Sequence, residues 1–193
     1  MPVLGITGGI GMGKSTAAGI LVSMGIPVVD TDQLAREITS PGSPALVEIH
    51  SQLGPGFVDA SGVLDRAKLA SVVFGDPAKR RVLEEILHPL IALRWQAMAA
   101  EWRDRGATGA VIIPLLFEKA YEPQFDSVIC VACSSVTQQR RLEARGWSAA
   151  QIEGRKSAQL PVGEKIARSR VMIWTEGSVE SHRAQWERVL GGC

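Results

Sequence analysis

Five short apolar runs punctuate the chain, at Val3–Ile6, Pro27–Asp30, Ala110–Ile113, Ser127–Ala132 and Val171–Trp174. None alternates cleanly between apolar and polar, so each reads as a strand covered on both faces, as in a parallel sheet. Helical spacing fills the intervals, which is what parallel crossovers require. Only about twenty residues part the first two runs, whereas Thr31 to Gly109 parts the second from the third. That interval is too long for one crossover helix and predicts a helical subdomain. It carries apolar periodicity in Leu34–Ile38, Leu46–Leu53, Leu69–Phe74 and Val82–Trp102, with turns at Ser40-Pro41-Gly42, Gly54-Pro55-Gly56 and Gly75-Asp76-Pro77.

The first run leads into Gly8-Gly9-Ile10-Gly11-Met12-Gly13-Lys14-Ser15, a complete G-x-x-x-x-G-K-[ST] phosphate loop. Its glycines let successive N–H groups point into one concavity, and the following helix adds its positive end. Lys14 is placed to reach the β- and γ-phosphates, and the Ser15 hydroxyl to sit on magnesium. The helical spacing of Ala17, Ile20, Leu21 and Met24 after the loop supplies the context an accidental match lacks. The chain is expected to bind a nucleoside triphosphate.

Composition narrows the setting. At 193 residues, 46% of them apolar, the chain can bury a sizeable core. Its formal net charge of +1 selects neither nucleic acid nor membrane as a partner, and no run approaches a membrane span. Cys130 and Cys133 have redox or metal spacing but sit in and beside an apolar run, and no further Cys or His pair completes a zinc site. They and Cys193 read as buried free thiols in a reducing cytoplasm. The five tryptophans are scattered and read as packing.

Between Gln138 and Arg170 lie eight basic residues against three acidic ones. A solvated helical face is one reading. The other is a lid of cations over transferring phosphates, with Gln138, Arg141 and Arg145 on one helical stripe and Gly146, Ser148, Gly154 and Ser157 allowing movement. The second strand ends in Val29-Asp30-Thr31-Asp32 at the sheet's carboxyl edge, where open α/β folds bind ligands. In extended geometry Asp30 and Asp32 point the same way. One can accept a hydroxyl proton while the other helps hold magnesium or its waters. One of them can equally cap a helix starting near Gln33. Glu118 either lines the site or starts a surface loop. His88-Pro89 is expected to interrupt a helix, with His88 on the substrate side. Asp59-Ala60-Ser61-Gly62 matches a GTPase switch element but reads as a turn, and no N-K-x-D element appears.

The motifs, in order, resemble one family. They are Thr7-Gly8-Gly9-Ile10-Gly11-Met12-Gly13-Lys14-Ser15-Thr16, Val29-Asp30-Thr31-Asp32 with Ala35-Arg36-Glu37, Pro41-Gly42-Ser43-Pro44-Ala45-Leu46, Gly62-Val63-Leu64-Asp65-Arg66, Leu87-His88-Pro89, Pro114-Leu115-Leu116-Phe117-Glu118, Gln138-x-x-Arg141-x-x-x-Arg145 and Arg155-x-x-x-Gln159. The combination is similar to the dephospho-coenzyme A kinases. The resemblance implies a three-layer P-loop kinase fold, with a five-stranded parallel sheet, an inserted helical substrate domain over 33–105 and a lid near 143–165. It implies ATP and magnesium, dephospho-CoA as acceptor, and phosphorylation of the ribose 3′-hydroxyl without an obligatory protein partner. Asp32 takes the place of the family's base, with Lys14 and Arg141 as its catalytic partners. Gly9, Gly11, Met12, Gly13, Lys14, Ser15, Thr16 and Arg145 are expected on the nucleotide. Asp30, Asp32, His88, Leu116 and Glu118 are expected on the acceptor, and Ser15 on the metal. Met12 stands where the family usually has Ser, with its side chain expected to point away from the cradle. Arg170 and Thr175 stand where it usually has Asp and Asn. The competing readings are another small-molecule P-loop kinase, for a nucleoside monophosphate or sugar acid, and a nucleotide-binding switch with no acceptor.

Overall fold

The structure, a computed structural model, describes residues 2–59 and 61–191. It divides into two compact units, residues 1–30 with 99–193, and Thr31–Met98.

The first unit is built on five parallel strands, β1 (Val3–Thr7), β2 (Val28–Asp30), β3 (Gly109–Ile112), β4 (Ser127–Ala132) and β5 (Val171–Trp174), in the order β2-β3-β1-β4-β5. Every residue of β1 and β3 is buried, which is why these runs show no alternation. Leu4, Ile6, Ala110, Ile112, Ile129 and Val131 form the core with Ala17, Ile20 and Leu21 of α1 (Lys14–Ser23) and Trp186 of α9 (Val179–Gly191). The central strand β1 is flanked by β3, paired Val3 with Gly109, and β4, paired Leu4 with Ser127. Strand order reverses there, so a ligand crevice is placed at the carboxyl end of β1.

The second unit holds α2 (Thr31–Ile38), α3 (Pro44–Leu53), α4 (Arg66–Gly75) and the first part of α5 (Pro77–Asp104). Ser43 accepts from Leu46 N–H and Pro44 follows it, a favourable start for α3. Asp65 caps α4 through Lys68 N–H. Leu46, Ile49, Phe57, Leu64 and Leu69 form the core, with Leu83, Ile86 and Leu87 against it. The division cuts through α5 at Met98/Ala99, so the helical unit is shorter than the expected 33–105 block.

Three expectations are corrected here. His88-Pro89 does not interrupt its helix: Pro89 lies inside the unbroken α5. The ring removes one donor to the Glu85 carbonyl, but Glu85 is exposed and water can serve that carbonyl. Asp30 ends β2 and Thr31 begins α2, so Asp32 is in a first helical turn and the strand alternation proposed for the pair does not apply. Tryptophan packing holds for Trp95, Trp102 and Trp186, whereas Trp174 is exposed and the Arg155 guanidinium lies 4.4 Å from the Trp147 ring centroid. At the GTPase-like element, Asp59 Oδ1 accepts from Ser61 and Val63 N–H, closing a turn, while Ala60 lies outside the described residues. Cys130 and Cys133 are buried free thiols, and burial pushes Cys130 up to about 11. Cys193 lies outside the described residues.

Candidate active site

The phosphate loop springs from the carboxyl end of β1 and delivers Lys14 as the first residue of α1. Gly13 caps the helix at φ 94°, a left-handed conformation, and a Cβ there would press on Thr175 at 3.1 Å. At Gly8 a Cβ would lie 2.2 Å from the Val131 carbonyl, so only glycine fits. No side chain caps α1 and no acidic residue stands in its first turn. Its leading N–H groups and positive pole are therefore left to an anion. Lys14 Nζ is folded onto the loop, donating to Gly8 O at 2.8 Å and Gly9 O at 3.0 Å. Ser15 and Thr16 are exposed at the head of α1.

Three residues from outside the loop brace it. Gln138 Nε2, on α6 (Ser135–Glu143), donates to Ile10 O at 2.7 Å, and Ile10 N–H donates to Gln159 Oε1 at 3.0 Å. Thr175 Oγ1, just past β5, donates to Met12 O at 3.0 Å. The Met12 side chain is buried with Ala132 and Cys133, against Val162 and Ile166. Arg141 is bound to the same threonine: Nη1 donates to Thr175 Oγ1 at 3.0 Å and Nη2 to Thr175 O at 2.6 Å. Thr175 is thus a buried link between Arg141 and the loop. Sequence reasoning had no local signal for it.

A cleft of about 150 Å³ opens beside the loop, lined by Gly13, Thr16, Arg141, Thr175, Gly177 and His182. His182 is buried, and desolvation, then the Arg141 charge, hold its pKa below the ordinary histidine value. Its Nε2 is buried without a hydrogen-bond partner among the described residues. On the other side of the loop, Gly9, Met12, Gln138, Lys156 and Gln159 line a hollow of about 80 Å³.

The expected lid is only partly a free segment. α7 (Ala149–Ser157) opens with a capping box between Ser148 and Gln151. α8 (Val162–Arg168) is tied down, because Lys165 is 0% exposed and bonded at 2.7 Å to Glu118 Oε1 and at 2.6 Å to Pro114 O. Leu160 N–H donates to the same Glu118 oxygen at 2.8 Å. Through its Oε1, Glu118 is therefore a strut between the segment after β3 and α8. Leu116, expected on the acceptor, is a core residue at 0% exposure, packed against Gly5. The stripe of Gln138, Arg141 and Arg145 is broken, since α6 ends at Glu143 and Arg145 falls in the exposed turn closed by Gly146 at φ 79°. Asp30 is half-buried at the end of β2 and His88 half-buried on α5, while Asp32 is exposed on α2. Among the described residues no group of three or more His, Cys, Asp or Glu side chains is arranged to hold a metal, and no helix is long and apolar enough to cross a membrane.

A five-stranded parallel sheet, with a phosphate loop at its switch point and an arginine fastened to that loop's rim, defines a P-loop kinase. The comparisons narrow the class. Residues 2–181 match the family model for dephospho-CoA kinase. The dephospho-CoA kinase of Anaeromyxobacter dehalogenans is 41% identical over 192 residues, spanning 98% of this chain and 91% of the relative. That of Bdellovibrio bacteriovorus is 39% identical over 191 residues, spanning 98% and 95%. A Thermus thermophilus protein of known crystal structure superposes with a TM-score of 0.80 at 36% identity, covering 98% of this chain and 96% of that one. The chain belongs to the dephospho-CoA kinase family.

Proposed function

We propose that this chain transfers the γ-phosphoryl group of ATP to the ribose 3′-hydroxyl of dephospho-CoA, giving coenzyme A and ADP. The observation that carries the reading is the uncapped phosphate loop with Arg141 fastened to it through Thr175.

Lys14 exchanges the Gly8 and Gly9 carbonyls, to which its ammonium is now bonded, for the β- and γ-phosphates. The loop N–H groups hold the β-phosphate, and Arg141 neutralises charge that develops as the γ-phosphoryl group leaves. The Asp32 carboxylate accepts the proton of the 3′-hydroxyl. The hydroxyl oxygen then bonds to the γ-phosphorus while the bond to the β,γ-bridging oxygen breaks. Asp30 and His88 contact the acceptor. The exposed Ser15 hydroxyl, with no metal-holding group of three or more His, Cys, Asp or Glu side chains among the described residues, suits magnesium held mostly by phosphates and water. When bound, that ion offsets phosphate charge.

Incubation with magnesium-ATP and dephospho-CoA should give a product heavier by one phosphate, detected by mass spectrometry. The analogue lacking the 3′-hydroxyl should give none. Equal ATP turnover with that analogue would overturn the reading.

A further inference from the structure

Arg36 and Arg66 have no part in the chemistry above. Both lie in the helical unit. Arg66, the first residue of α4, reaches back to the end of α2, where its Nη2 donates to Arg36 O at 3.0 Å and to Thr39 Oγ1 at 2.7 Å. Thr39 is buried and itself fixed, donating to Ala35 O at 2.6 Å. The guanidinium is thereby held against the negative pole of α2, in the turn from which the Arg36 side chain also leaves. The two charges are mutually felt: after burial, repulsion from Arg36 is what lowers the Arg66 pKa. Among the described residues neither arginine has a carboxylate within ion-pair distance.

Two like charges brought together and left without a counter-charge are a site for an anion that carries more than one negative oxygen. Arg66 spends one nitrogen on the protein and keeps its other donors. Asp32 and Arg36 are four residues apart on α2, hence on one face and about 6 Å apart along the axis. A ribose 5′-diphosphate offers a hydroxyl at one end and phosphate oxygens a few bonds away, which is the same order of spacing.

We propose that Arg36 and Arg66 bind the diphosphate of the acceptor, setting the register in which its ribose hydroxyl is presented to Asp32. The assignment rests on the reading of dephospho-CoA as acceptor and of Asp32 as base. It makes the arginine pair a determinant of acceptor choice: hydroxyl compounds without a 5′-phosphate lose this anchor.

The cleaner variant is Arg36→Met, because the Arg36 side chain makes no hydrogen bond or ion pair among the described residues. Steady-state kinetics should show KM for dephospho-CoA raised about tenfold or more, KM for ATP within about twofold, and an unchanged Tm. Unchanged KM values, or an equal rise for both substrates, would overturn the proposal. Calorimetric titration with inorganic pyrophosphate separates this outcome from failure of the functional reading. In a Lys14→Ala background, which weakens the phosphate loop, adding Arg36→Met should weaken pyrophosphate binding about tenfold. Undiminished binding there would refute the anion site even in an enzyme active on dephospho-CoA. Loss of binding in a chain that never phosphorylates dephospho-CoA would keep the anion site and discard the acceptor.

Discussion

Arg141 is held by Thr175 through two hydrogen bonds, at 3.0 Å and 2.6 Å, and the same threonine hydroxyl reaches the carbonyl of Met12 in the phosphate loop. The arginine is thus referenced to the loop and does not depend on bound nucleotide for its position. Thr175→Val removes both hydroxyl bonds while keeping the shape. It should lower kcat/KM about tenfold, and Thr175→Ser should restore most of the loss. A serine variant as poor as the valine one would mean that packing, and not the hydroxyl, is what matters.

Asp32→Asn tests the base. Removing a proton acceptor raises the barrier without removing ground-state contacts, so kcat should fall about a hundredfold or more while ATP binding is kept. Single-turnover rates and nucleotide titration read the two effects separately. Near-normal turnover would reassign the role.

The Glu118–Lys165 pair governs stability. Glu118→Gln leaves the Lys165 ammonium fully buried without its counter-charge, and the expected loss is about 3–5 kcal/mol in urea unfolding. The double variant Glu118→Gln with Lys165→Met removes both charges and should recover much of that loss. Additive losses would show that the two residues act independently.

Acidification should act through His182. Its pKa is lower in the folded chain than in the unfolded one, first through burial and then through Arg141. The unfolded state therefore takes up the proton first as pH falls below about 6.5. The stability contributed by the neutral ring is complete above that pH and is lost on going down through the folded pKa. Tm measured from pH 7.5 to 5 should fall less steeply for His182→Gln than for the wild type. Parallel slopes would place the acid sensitivity elsewhere.

The sheet was legible because β1, β3 and β4 are buried on both faces and therefore appear as unbroken apolar runs. The phosphate loop was legible because its glycines answer steric demands, such as the Val131 carbonyl beside Gly8, that no other residue meets. Lys165 was not. In sequence it is one more cation in a basic stretch, although Val162 and Ile166, both packed on Met12, Ala132 and Cys133, mark α8 as having a buried side. Leu116 was placed on the acceptor by motif alone, yet an apolar residue four positions past the end of β3 is as readily core. Arg145 was placed on a helix that Gly146 ends, a stop signal visible in the sequence but outweighed there by the arginine spacing.

The pairing of β1 also sets an order of events in folding. Its partners are Gly109–Ile112 and Ser127–Cys130, more than a hundred residues further along, whereas Thr31–Met98 closes on itself as a compact unit. On a chain growing from its amino end, the helical unit can assemble while β1 still has neither neighbour. The phosphate cradle takes shape only after β3 and β4 have been made, so it is among the earliest segments synthesised and among the last to become structured.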